Sequence, residues 1–231
     1  KEAFADPDTG MAPTIMEIDA EQIDDYYSVC DSRIAALMEM EQPESPAARR
    51  KAVEMYGKVH RPFEVYPGMS TTIMDYQNIM GFLVLLFCVV IAAPAFSADY
   101  QSGSDDILRC TRYGRRSLGV AKLLSALLIS AVAFTVCATV YILIANSLFG
   151  WKCTRTSIQM MYSIVTLADL NIGEFQLLFA IAGLLSVLAS VSFTLFLSSR
   201  CRSTVASLAS ALVFCIAPVV VSMAVPGTLS T

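Results

Sequence analysis

Charge is scarce in this chain, and the long apolar runs have none at all. Charged residues make up 16% of the 231 residues against 55% hydrophobic, with a mean hydropathy of +0.59. A soluble domain carries about 25% charge, so this is the composition of a membrane protein. The single histidine is His60, and the seven cysteines form no Cys-x-x-Cys or Cys/His cluster. A zinc site and His-based catalysis are therefore not expected, no metal site is read, and the cysteines serve as small apolar fillers. There is no HExxH, no nucleophile motif, and no pair of intramembrane aspartates. The phosphate-cradling GxxxxGK[ST] is missing too, so the chain has no ATPase activity of its own. The reading is not an enzyme, and nothing in the charge pattern points to nucleic acid.

What is present is a set of charge-free windows. There are 23 uncharged residues between Asp75 and Asp99, 29 between Lys122 and Lys152, 25 between Glu174 and Arg200, and 29 after Arg202. A helix needs about 20 apolar residues to cross roughly 30 Å of hydrocarbon. The windows therefore predict four spans, at about 78–97, 118–148, 175–198 and 204–225, in an all-α polytopic transmembrane helical bundle. None of the four cores holds an ionisable residue, so no ion-coupled pumping machinery is visible. Hydroxyl residues such as Ser130, Thr194 and Ser207 read as helix-packing positions. Pro94 and Pro218 interrupt the first and fourth ladders.

Lys and Arg in the short loops set the orientation. Arg109, Arg112, Arg115, Arg116 and Lys122 follow the first span, and Arg200 and Arg202 lie between the third and fourth. These two loops are expected inside. Residues 1–77, the loop 149–174 and the C-terminal end then face outward. Trp151, Tyr76 and Tyr162 suit interfacial anchors. The opening Lys-Glu-Ala-Phe-Ala is no signal peptide. An exported head then implies a further span before Lys1, and the outward end after Pro226-Gly227 implies another. The parent is expected to hold six spans, with residues 1–77 as a small helical extracellular domain between its first and second.

That head holds fifteen acids and seven bases, whereas residues 78–231 hold five acids and nine bases. Ile18, Ile23, Tyr26, Tyr27, Ile34, Leu37 and Met38 recur near helical spacing, Asp19 can cap that helix, and Pro43 and Pro46 end it. A second helix is expected from Ser45-Pro46 to about Gly57, with Ser45 as N-cap and Pro46 at N1. Asp24, Asp25 and Asp31 lack calcium-loop spacing and read as a solvated face. Cys30 and Cys153 share the outward side on this topology, which raises a disulfide between them as an option.

The polar interruption at 98–117 carries the functional reading. Ser104 is a natural N-cap, Asp105 and Asp106 suit the positive end of a helix, and Ile107, Leu108, Arg109, Cys110, Thr111, Arg112 and Tyr113 continue it. Gly114 is a natural stop, with Arg115 and Arg116 beyond it. The order Ala93, Pro94, Phe96, Ser97, Asp99, Tyr100, Gly103, Asp106, Leu108, Thr111, Gly114, Arg115, then Lys122 opening the next span, resembles the type-2 (export-type) class of ABC transporter permeases. The resemblance implies a membrane-spanning subunit that dimerises with itself or with a second permease in a bacterial plasma membrane. It further implies a coupling helix over Asp105–Arg116 that docks a separate ABC ATPase subunit. ATP and magnesium would reside in that partner, with no cofactor in this chain. The implied function is ATP-driven export of a peptide, drug or lipid-like substrate. The alternative is a non-transporting sensor or scaffold whose acidic outer head binds a ligand.

Overall fold

The computed structural model describes residues 26–41, 45–66, 68, 70–103, 114–163, 166–201 and 203–224. Eight α-helices run through them: α1 (Tyr26–Glu41), α2 (Pro46–Tyr56), α3 (Thr71–Ala92), α4 (Pro94–Ser102), α5 (Gly114–Phe149), α6 (Ile158–Met161), α7 (Ile172–Arg200) and α8 (Thr204–Ala224). A 3-10 turn, Trp151–Arg155, follows α5. No strand forms among the described residues, which hold one isolated bridge between Ser157 and Asn171. Four stretches are long and apolar enough to cross a membrane: Thr71–Ser102, Ser117–Phe149, Ile172–Arg200 and Thr204–Val221. They match the four charge-free windows. The all-α polytopic bundle read from composition is the fold observed.

The chain divides into two compact units. The first holds the described residues up to Thr71 together with Asn146–Phe175. Here α2 begins as its sequence dictates. Ser45 Oγ accepts from Ala48 N at 3.4 Å, Pro46 occupies the first turn, and Gly57 closes the helix by donating to Val53 O at 2.9 Å. The start of α1 expected at Asp19 lies outside the described residues. Cys30 and Ile34 from α1 meet Tyr56 and Val59 in a small core, with Val29, Phe63 and Leu167 against it. Over that core lies Arg61. Its guanidinium donates to both carboxylate oxygens of Asp31, at 3.1 and 2.5 Å, and its Cζ stands 5.3 Å from the centroids of both Tyr27 and Tyr56. A planar cation is suited to this, because its edge bonds the carboxylate while its face stacks on rings.

Residues 60–66 then run beside 156–157, tied largely by side chains. Glu64 N donates to Ser157 Oγ, Tyr66 N to Thr156 Oγ1, and Ser157 N back to Glu64 O, all at 3.0–3.1 Å. His60 N donates to Asp169 Oδ1, and buried Gln159 donates from Nε2 to both Thr166 O and Ala168 O. Gly68 adopts φ +134°, and a Cβ there would meet Phe149 O at 3.0 Å and Cys153 Sγ at 3.1 Å. The sequence had suggested two separate outward segments, a head and a loop. They fold as one unit. The Cys30–Cys153 disulfide is not made: Cys30 is packed among Ile34, Tyr56 and Val59, whereas the Cys153 thiol donates to Phe149 O at 3.1 Å. Each sulfur is engaged in its own surroundings.

The second unit holds Thr72–Ala145 and Gln176–Thr231. Its core brings together Cys88 and Ala92 of α3, Phe134 and Ala138 of α5, and Val187, Val191 and Leu195 of α7. Phe134 fits because glycines flank it. A Cβ on Gly183 would lie 2.6 Å from its Cζ, and one on Gly81 would lie 3.7 Å from Cε2. Most large apolar side chains of the spans point outward instead, Phe87, Leu128 and Val205 among them, as expected of surfaces that face lipid or a second membrane subunit. Pro218 lies within an α8 that continues through it.

Candidate functional site

The site is built around a broken helix. Pro94 has no N–H, and its ring excludes the carbonyl four residues back, so the ladder cannot pass through it unchanged. The chain responds by closing α3 at Ala92 and opening α4 with Pro94 in its first turn. Ala93, the N-cap, offers no side-chain acceptor. The amides of Phe96 and Ser97 both donate to Ser198 Oγ of α7, each at 3.0 Å. Ser198 thereby caps α4 from another helix. Ala93 O accepts the hydroxyls of Ser97 and of Ser207 on α8, both at 3.0 Å. Ser97, Ser198 and Ser207 are fully buried. In lipid a broken ladder is tolerated where neighbouring hydroxyls satisfy the freed backbone groups, and three serines do so here.

The far end of α4 is held as well. Lys122 of α5 pairs with Asp99, donates to Ala95 O at 2.9 Å, and lies 5.8 Å from the centroid of the Phe96 ring. Both partners of this ion pair are mostly buried, which suits a lysine at the mouth of a span. Thr204 Oγ1, at the start of α8, donates to Gln101 Oε1 at 2.5 Å. Gly103 then ends α4 in the left-handed conformation, φ +73°, and its N–H returns to Tyr100 O. Glycine takes that backbone shape without strain. One short helix is thus fastened to α5, α7 and α8.

This corrects two expectations. The interruption does not begin at residue 98, since α4 carries the first span on to Ser102. Gly114, expected as a stop, is the first residue of α5, a 36-residue helix that runs on through Arg115, Arg116 and Gly119 to Phe149. Ser104, Asp105, Asp106, Ile107, Leu108, Arg109, Arg112 and Tyr113 lie outside the described residues. Six of the motif residues, Ala93, Pro94, Phe96, Ser97, Asp99 and Lys122, do come together. Ser198 and Gln101 were not singled out from the sequence; only a hydroxyl or amide at a helix end, without periodicity, could have marked them.

A family model described as ABC-2 family transporter protein matches residues 12–231. No curated protein and no solved structure matches the chain.

Proposed function

The chain belongs to the ABC-2 transporter family as a multi-pass permease component of an ABC transporter, and we propose that it is the export subunit driven by a separate ATPase. In this reading the ATPase docks on Asp105–Arg116, and two permease subunits, alike or different, pair in a bacterial plasma membrane. Residues 1–77 face the outside. ATP binding in the partner rocks the pair between inward- and outward-facing states, and the cargo is a peptide, drug or lipid-like amphiphile.

The observation that supports this is the fastening of α4. A docking segment transmits force only if the element leading into it is rigidly held. α4 enters the basic segment while bonded through Ser198, Ser207, Thr204 and Lys122 to three other helices. A push on the segment therefore reaches the bundle at several points at once.

The test is co-purification of the full-length protein with a co-expressed ABC ATPase subunit, followed by transport-coupled ATP hydrolysis in vesicles. Asp106→Arg combined with Arg112→Glu is expected to lower association at least tenfold. Retention of full association and coupling by that variant would remove the docking assignment. Labelling of Cys110 from outside intact cells would overturn the topology.

A further inference from the structure

A second place in the membrane-spanning unit lies away from the α4 joint. A cavity of about 280 Å³ opens between α3, α5 and α7. Its apolar wall includes Met80, Leu85, Phe134 and Phe179, and none of its lining residues is ionisable. Its polar groups are Gln77, Asn78 and Ser186.

Gln77 is the informative one. It is only 4% exposed, and its Nε2 donates to Gln176 O at 3.1 Å. That bond fixes the amide's orientation, because only nitrogen can donate to a carbonyl. Oε1 is thereby left as a buried acceptor with no partner among the described residues. An unsatisfied buried acceptor is costly, and more so where water is absent. Ser186 gives its proton to Ala182 O at 2.9 Å, so its oxygen too is left to accept. The wall is therefore apolar, with the buried Gln77 Oε1 as an acceptor that no donor among the described residues reaches. A charged guest would find no counter-ion on it, and burying such a charge unpaired is heavily penalised.

We propose that this cavity binds a neutral amphiphile with a hydroxyl head, whose O–H satisfies Gln77 and whose chain lies against Phe134, Met80 and Leu85. The claim concerns binding within one subunit and stands whether or not the guest is transported.

The test uses the full-length protein in phosphatidylcholine nanodiscs, a lipid whose headgroup has no hydrogen-bond donor. The probe is a dodecanol analogue with a diazirine in mid-chain, its adducts mapped by mass spectrometry. Labelling is expected on the α3 and α5 segments holding residues 77–85 and 134–138. Unlabelled dodecanol is expected to compete about fivefold better than dodecyl methyl ether, which lacks the donor, and better than dodecylammonium. Gln77→Met should bring the alcohol-to-ether ratio to one, and Ser186→Phe, which fills the mouth, should suppress labelling. Because the ratio is taken within each protein, it is insensitive to how much of a variant folds. Equal competition by alcohol and ether in the wild type overturns the proposal. So does a preference for the ammonium, labelling outside these residues, or a ratio unchanged in Gln77→Met. If Gln77→Met does not fold, the wild-type ratio and Ser186→Phe decide.

Discussion

The two units use the same chemical group for opposite purposes. In the first unit, the hydroxyls of Ser157 and Thr156 take the place of a strand's backbone, accepting from Glu64 N and Tyr66 N where a sheet partner would otherwise do so. In the membrane-spanning unit, Ser198, Ser97 and Ser207 bond the amides and the carbonyl left open where the helix breaks at Pro94. In the first set, the exposed bond between Ser157 and Glu64 can be replaced by water. The second sits where no water replaces it. The value of a hydroxyl hydrogen bond is therefore set less by its length, near 3 Å in both places, than by what is available when it is lost.

Packing gives the sharpest contrast. The small core around Cys30 and Ile34 has charged and polar groups at its edge that can move aside, whereas Phe134 is clasped by Gly183 with no slack. Gly183→Val should be the most damaging single change. It forces branched methyls onto a ring already 2.6 Å from the position of a Cβ, at a cost of about 3 kcal/mol by the usual scale of overpacking. The thermal midpoint of the full-length protein in micelles reads it, and a midpoint near wild type would mean that Phe134 has room to turn.

Next comes Ser198→Ala, which strips the acceptor from one buried and one part-buried amide and should cost about 2 kcal/mol. On the proposed function it should also lower ATP hydrolysis by the partner while leaving its association intact. Loss of association instead would mean that the joint builds the proposed docking surface rather than transmitting from it.

A smaller effect separates the units by pH. Burial, with Cys30 close by, pushes the Tyr56 phenol from its ordinary 10.0 up to about 12, against an opposing pull from Arg61. The folded state thus favours the neutral phenol. Its contribution to stability is complete below pH 10, and is lost as pH rises through 12. Tyrosinate absorbance should show a late step near pH 12 that Tyr56→Phe removes. Opening of this unit, read by thiol labelling of buried Cys30, should follow the same window. A titration indistinguishable from the Tyr56→Phe variant would discount the buried phenol.

The smallest change expected is Ser157→Ala. It removes the bond to Glu64 N in a partly exposed setting, and should stay within about 0.5 kcal/mol. A loss as large as that of Ser198→Ala would break the comparison between the units.

The spans were legible because length and charge-free composition are local properties, and so was α2, whose Ser45, Pro46 and Gly57 each act within one turn of themselves. The joint was half legible. Ala93 through Lys122 stood out in order, but the residues that answer them, Ser198, Ser207 and Thr204, lie about a hundred positions away and carry no periodic signal. The union of the head with the loop after Phe149 was not legible for the same reason, since its ties join backbone to side chain over about ninety residues. Gln77 was hidden by its neutrality. A search for charges inside the spans passes over an amide, although a lone acceptor there is nearly as informative.

The serine-filled break at Pro94 also bears on motion. A proline in a membrane helix is ordinarily a place where the two halves swing independently. Here Ala93 O answers to α4 and α8 together, and Ser198 Oγ receives two amides at once, so every direction in which α4 could swing stretches a bond to a different neighbour. The joint is a braced elbow, tied to α7 and α8 at once. That bracing ends at Gly103, one residue past the end of α4.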